Sequence, residues 1–325
     1  MSRNIDLLVV GGLLVIDHIA VLDELPAPGA AVLFPGLTRS LTEQYFGGNS
    51  INLAAAAAAL GLRVGLVCFA GEDFESSGYR AHLDAIGIKE RWLQNLHGQD
   101  IAHCYSFFDR LGTSLTFMDF PGEASVGELQ IPHDVIANAG QVVISGGRRD
   151  DLSARNVMAI AQAAQEARVP LALAWAGDKA NFEPAYFDLA DTLLCNQFES
   201  ELILECLSLN AEDGIARLGP QRTFVTRGAS GSDVYFGGCR TRVPAVQPAD
   251  AVDPTGAGDS YAGGVLAGLA WGKPPEVCGK IGAVVASFVL EKRGCQTNLP
   301  SREQLEARYQ SAFGVTLNSS INRMN

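Results

Sequence analysis

Short, uninterrupted apolar runs that end in glycine alternate with helical patterns along most of this chain. Ile5–Val10 is such a run, ending at Gly11-Gly12, and it reads as a strand buried on both faces. Gly47-Gly48 open a helix over Ser50–Leu60, which Gly61 stops, and Arg63–Ala70 is the next strand. Ser76–Ile86 is a helix with Gly87 just past its end. The alternation resumes with strand Val142–Ser145, helix Ser153–Ala167 and strand Leu171–Ala174. It continues with strand Thr192–Cys195, helix Glu199–Glu205, strand Arg222–Thr226 and helix Gly258–Ala270. Two helices, about Val277–Glu291 and Glu303–Phe313, come last. Strands that alternate with helices predict an α/β fold with a mainly parallel sheet covered on both faces.

Two β-rich stretches interrupt this rhythm. Leu13–Leu41 holds Pro26, Pro28 and Pro35 and predicts short strands and loops rather than helix. Ile101–Phe108 and Thr113–Phe120 flank a turn signal at Asp109–Gly112 and predict a hairpin. The two stretches, near residues 13–45 and 99–120, can pair as one small sheet, a lid over a site within a single domain spanning residues 1–325.

With 325 residues and 47% apolar composition the chain can bury a large core. A formal net charge of −12 argues against a nucleic-acid partner, which needs a basic surface to displace counterions. No apolar stretch is long enough to span a bilayer, and Met1 to Asp6 runs straight into a strand without an export signal. The seven cysteines form no CxxC pair and their number is odd, so a reduced, cytoplasmic compartment is expected.

The segment Asp253-Pro254-Thr255-Gly256-Ala257-Gly258-Asp259 carries the chemistry. Pro254 stops a strand, and Thr255 to Gly258 turn into a helix start, where amides lack intrahelical acceptors at the positive end of the dipole. With almost no side chain on Gly256, Ala257 and Gly258, an anion can approach those amides. Asp259 stands about one turn beyond Thr255, where its carboxylate can take a proton from an attacking hydroxyl. A bland alternative exists: a glycine-rich turn opening a buried helix. The adjoining Asp253-Pro254 and Gly263-Gly264 favour the chemical reading.

Asp253 to Leu266 resembles the second signature of the PfkB family of carbohydrate and nucleoside kinases. Gly47-Gly48-Asn49-Ser50-Ile51-Asn52-Leu53-Ala54 resembles the first, with Ser50 where a glycine, alanine or proline is usual. The resemblance extends from about residue 5 to 313 and implies a ribokinase-like doubly wound sheet with a small β lid. It implies Asp259 as catalytic base and the amides of Gly256, Ala257 and Gly258 as anion hole. Asn196-Gln197-Phe198-Glu199 looks like the family NxxE motif, in which Glu199 organises Mg²⁺ through water. Taken alone, that tetrapeptide is an N-capped helix start. Asn196, Thr226, Gly228, Gly231 and Thr255 would line the ATP side. Asp17, Gly48, Asn49 and Asn52 would hold the substrate, with the Asp17 carboxylate accepting from two sugar hydroxyls. A monovalent cation such as K⁺ beside Asp253 and Thr255, and a homodimer through the lid, are further properties of some relatives.

The substrate is expected to be a primary alcohol on a ribose-containing molecule. Gly146-Gly147-Arg148-Arg149 replaces the glutamate that ribokinases carry after this strand, which counts against free ribose. Ala174-Trp175-Ala176 likewise replaces a family aspartate. Ser287 to Thr297 resembles the nucleoside-kinase branch, and the lid aromatics Tyr105, Phe107, Phe108, Phe117 and Phe120 could stack on a base. A nucleoside is favoured. A free sugar or sugar acid, as in ribokinase, fructokinase or ketodeoxygluconate kinase types, is the alternative, and Arg148 and Arg149 could meet an acidic one. A Rossmann oxidoreductase is disfavoured because Gly256 to Tyr261 breaks GxGxxG at its sixth position, and no Walker motif occurs. A non-catalytic sensor on the same fold would need neither Asp259 nor Glu199.

Overall fold

The computed structural model describes residues 4–317 except 28, 32, 34–35, 38, 40–42, 110–113, 121–128, 132, 147–153, 178, 180–181 and 211–213. The chain begins with β1 (Leu7–Leu13), β2 (Val15–Leu22), β3 (Gln44–Gly47), α1 (Asn49–Ala59), β4 (Val64–Ala70) and α2 (Tyr79–Ala85). It continues through β5 (Glu90–Asn95), β6 (Ala102–Asp109), β7 (Ser114–Asp119), α3 (His133–Ala137), β8 (Val142–Gly146), α4 (Ala154–Glu166) and β9 (Leu171–Trp175). Then come α5 (Ala185–Leu189), β10 (Thr192–Asn196), α6 (Gln197–Cys206), β11 (Arg222–Thr226), β12 (Ser232–Phe236) and β13 (Cys239–Val243). The last helices are α7 (Ala257–Ala270), α8 (Pro275–Val289) and α9 (Arg302–Phe313).

Among the described residues nine strands form one sheet in the order β13-β12-β11-β10-β9-β8-β1-β4-β5. The seven strands from β11 to β5 run parallel, and β12 and β13 extend one edge antiparallel. Parallel strands buried on both faces read as continuous apolar runs, which is why β1 and β4 were legible. Residues of α1, α7, α8 and α9 cover one face through Ile51, Val265, Ile281 and Leu305. Residues of α4, α5 and α6 cover the other through Ile160, Phe187 and Ile203. Gly263 and Gly264 let three helices close up. A Cβ on Gly263 would lie 2.6 Å from the Leu53 carbonyl oxygen of α1, and one on Gly264 would lie 2.9 Å from Gly282 Cα of α8. This close approach sets Asn52 of α1 against Asp259 of α7.

A smaller sheet of order β3-β2-β6-β7 stands beside the main one. It is assembled from the two β-rich stretches, with β2 parallel to β6 and β6 antiparallel to β7. Leu14 alone separates β1 from β2, so the chain passes from one sheet to the other within one residue.

Several local features depart from expectation, among them the short helices α3 and α5, which the sequence pattern does not predict. β1 continues through Gly11-Gly12 with a register irregularity between Val10 and Leu13 instead of ending at the glycines. Leu37 and Arg39 have helical backbone within the stretch read as strand and loop. Glu43 N–H donates to the Arg39 carbonyl (3.1 Å), and an Arg39–Glu43 ion pair at i,i+4 supports the turn. β5 was not foreseen, because its sequence Glu-Arg-Trp-Leu-Gln-Asn is that of a half-exposed edge strand. The antiparallel pair β12–β13 was likewise not assigned. Among the described residues no helix is long and apolar enough to cross a membrane.

Candidate active site

β1 stands between β8 and β4, so the connections leave it in opposite directions, and a crevice opens beyond the carboxyl ends of β1 and β8. A cavity of about 170 Å³ occupies this crevice, with Gly12 and Leu13 of β1 and Ser145 of β8 at its base. Asp17, Gly48, Asn49, Asn52, Thr255, Gly256 and Asp259 complete its polar wall. A second cavity of about 110 Å³ shares Asn49, Ser145 and Asp259 with the first and reaches Asn196 and Glu199. A third, of about 450 Å³, shares Thr226, Gly258 and Tyr261 with the second and is lined mainly by apolar groups such as Val246, Ala286 and Leu290. The three adjoin in turn through these shared wall residues, and Asp259 belongs to the wall common to the first two.

The loop ahead of α7 is held by Asp253, which is buried. Its Oδ1 accepts from Thr255 N–H (2.9 Å) and the Thr255 hydroxyl (2.6 Å), and its Oδ2 accepts from Gly294 N–H (2.9 Å). Gly256 has φ +71, and a Cβ there would lie 2.5 Å from Cys295 Cβ, so only glycine fits. The Ala257 amide is engaged by the Pro254 carbonyl (3.3 Å). The helical ladder begins with Ser260 N–H donating to the Gly256 carbonyl (2.9 Å), so the amides of Gly258 and Asp259 precede it without a ladder partner. A Cβ on Gly258 would meet nothing within 4 Å, so open space adjoins that amide. The combination suits an anion at this point.

Asp259 accepts a hydrogen bond from Asn52 Nδ2 (2.9 Å). Burial pushes its carboxyl up to about 7, with the Asn52 bond opposing. Asp17, at 6% exposure, is also pushed up to about 7, first by burial and then by the charges of Asp259 and Asp253. The Cys295 thiol donates to it at 3.8 Å, and the Cys104 thiol also acts on it as a hydrogen-bond partner. Two carboxylates with raised affinity for protons thus face one cavity, which is characteristic of functional sites.

On the other flank, Asn196 and Glu199 form a capping box. Asn196 Oδ1 accepts from Glu199 N–H (2.9 Å), and Glu199 Oε2 accepts from Asn196 N–H (2.7 Å). The N-capped helix start is therefore present, and both residues also line the second cavity. Gly228 (φ +53) and Gly231 (φ +89) shape the turn after β11 beside the third cavity. Among the described residues no group of three or more His, Cys, Asp or Glu could hold a metal ion. A divalent cation here fits as an ion held by nucleotide phosphates and water with Glu199 nearby.

The sequence-derived residues gather around these cavities with two exceptions: Thr255 lines the first cavity rather than the nucleotide side, and the buried Asp253 lines none of the three. Of the five lid aromatics only Phe120 borders the first cavity. Tyr105 stacks on His18 (4.5 Å), and Phe107 meets Phe117 edge-on (6.2 Å). Arg148 and Arg149 lie outside the described residues. Sequence reasoning missed Ser145 as a wall residue, although its place at the carboxyl end of a parallel strand was a usable signal. It also missed Cys104 and Met118, which the register of the small sheet turns toward the cavity.

The fold is that of a ribokinase-like α/β protein. The family model described as pfkB family carbohydrate kinase matches residues 6–302, and the chain belongs to that family. It is 28% identical over 301 residues to a nucleoside kinase of Methanocaldococcus jannaschii, covering 90% of this chain and 93% of the relative. It is 29% identical over 319 residues to a nucleoside kinase of Methanothermobacter thermautotrophicus, covering 97% and 98%. The structure of Burkholderia thailandensis nucleoside kinase in complex with ADP-inosine superposes with a TM-score of 0.76 at 21% identity, over 95% of this chain and 97% of that one. Membership of this family implies ATP and a divalent metal as cofactors.

Proposed function

We propose that this kinase transfers the γ-phosphoryl group of MgATP to a primary hydroxyl of a nucleoside. The observation that carries the reading is the position of Asp259 in the wall common to the first and second cavities. The acceptor occupies the first, the phosphate chain the second, and the adenine the apolar third. When bound, MgATP would supply the phosphoryl group, and Glu199 would hold the hydrated Mg²⁺ through water. Asp259 takes the hydroxyl proton, while the amides around Gly258 stabilise charge on the migrating group. Asp17 and Asn52 orient the ribose hydroxyls. The small sheet acts as a lid that excludes water and so favours transfer over ATP hydrolysis.

The named activity of the two archaeal relatives supports a nucleoside, as does the apolar border of Met118 and Phe120. A free sugar or sugar acid competes, because Tyr105 stacks on His18 and Phe107 and Phe117 pack against each other rather than lining the cavity. Asp253 Oδ1 accepts two hydrogen bonds and Oδ2 one, so a K⁺ ion beside this residue would use the remaining Oδ2 lone pair together with carbonyl oxygens of the adjoining loops. The exposed Leu115 and Phe117 on β7 support a homodimer through the lid. ADP release measured across nucleosides, ribose, fructose and sugar acids tests the assignment. Turnover confined to nucleosides supports it; turnover confined to free sugars or sugar acids replaces the substrate; none with any acceptor favours a sensor.

A further inference from the structure

His82 lies on α2, outside both signature segments, yet three hydrogen bonds join it to Asp259. Asn52 Nδ2 donates to Asp259 Oδ2 (2.9 Å), Gln296 Nε2 donates to Asn52 Oδ1 (2.9 Å), and His82 Nε2 lies 2.7 Å from Gln296 Oε1. The direction of this chain is forced from its far end. An ionised carboxylate only accepts, so Asn52 must turn its NH₂ to Asp259 and its carbonyl to Gln296. Gln296 must then turn its NH₂ to Asn52, which leaves its carbonyl for a proton on His82 Nε2. The ring is held in place by stacking on Phe46 (4.1 Å, 16°) and by an edge contact with Tyr79 (6.2 Å, 89°).

A primary amide has nearly the same shape after a 180° turn, which exchanges its donor and acceptor ends. If Gln296 turned, Asn52 would be drawn to present its carbonyl to the Asp259 carboxylate, and the contact would become repulsive. The Nε2–H of His82 is the end stop against this, present in the Nε2–H tautomer of the neutral ring and in the charged ring alike.

We propose that His82 is a positioning residue for the phosphoryl-transfer reaction: through Gln296 and Asn52 it ties down Asp259 Oδ2 and leaves Oδ1 to collect the substrate proton. The inference rests on Asp259 as the catalytic base. A donor to the carboxylate also favours its ionised form, so breaking the chain raises the pH at which the base becomes active.

The test is a kcat–pH profile for His82→Ala, His82→Gln, Gln296→Leu and Asp259→Asn, each checked for folding by circular dichroism. His82→Ala is expected to lower kcat at neutral pH about 3- to 10-fold, and to move the acid limb up by about half a unit to one unit, the size expected for one hydrogen bond. Gln296→Leu should give the same displacement, and His82→Gln, which keeps an N–H donor at the right reach, should restore the limb. A His82→Ala enzyme that is merely less heat-stable with an unmoved acid limb overturns the proposal, as does His82→Gln displaced as far as His82→Ala. Full turnover in Asp259→Asn would remove the base reading itself, whereas an inactive Asp259→Asn beside an unmoved His82→Ala profile removes only the relay.

Discussion

A Cβ built on Gly47 would stand 1.9 Å from Asp17 Oδ2, so the last residue of β3 has to be glycine for the β2 carboxylate to keep its place. Gly47→Ala therefore displaces Asp17 from the acceptor cavity. Steady-state kinetics should show KM for the acceptor raised about tenfold or more, from a lost charge-assisted hydrogen bond, with KM for ATP little changed. An unchanged acceptor KM would contradict the role given to Asp17.

Asp17 predicts a pH signature in stability. Its folded-state pKa, about 7, lies above the ordinary 3.8. The native state then binds more protons than the unfolded one between these values, so stability falls as pH rises through that window. Asp17→Asn removes this contribution. Its melting temperature should exceed that of the parent protein increasingly from about pH 5 to pH 8, where the gain is on the order of 2–4 kcal/mol. An offset that is the same at both ends would contradict the assignment.

Gly258→Ala separates fold from chemistry. The added Cβ meets no atom within 4 Å beyond its chain neighbours and its own helix backbone, and alanine suits a first helical turn better than glycine. Thermal melting should show equal or slightly greater stability, by up to about 1 kcal/mol. Turnover should fall about 10- to 100-fold, because the methyl group enters the space that the migrating phosphoryl group needs next to that amide. Full activity would place the anion elsewhere.

Asp233 of β12 holds together the edge of the main sheet. Its carboxylate is fully buried and pairs with Arg227, Arg240 (2.9 Å) and Arg242 (3.1 Å). Asp233→Asn leaves three guanidinium groups around a neutral side chain. Urea denaturation should show a loss of about 1–2 kcal/mol, below the scale for a fully buried pair because the three arginines are partly exposed and can be solvated, and an unchanged midpoint would contradict the role.

The chemistry was legible where backbone requirements dictate residue type. Gly256 needs a positive φ and close contact with Cys295, and a loop proposed to hold phosphate must be nearly bare, so both signatures stood out as glycine patterns. The main-sheet strands were legible because burial on both faces demands unbroken apolar runs. The edge strand β5 escaped because half-exposed positions accept almost any side chain. Gln296 and His82 escaped for a different reason. Their contact spans 214 residues and follows from how α2 meets the loop after α8, which no local spacing encodes. The lid aromatics were visible as residues but not as orientations; the register of β2 against β6 pairs Tyr105 with His18 rather than turning it to the acceptor.

The central claim is that Asp259 removes the acceptor proton. Burial pushes its carboxyl up to about 7, and a base works ionised, so the parent enzyme should lose about tenfold in kcat per pH unit below that value. The most direct measurement is the initial rate of nucleoside-dependent ADP release by Asp259→Asn at about pH 8, where the parent carboxylate is ionised. The predicted result is a loss of about 10²–10⁴-fold with ATP and acceptor still binding. A rate within a few-fold of the parent enzyme would contradict it.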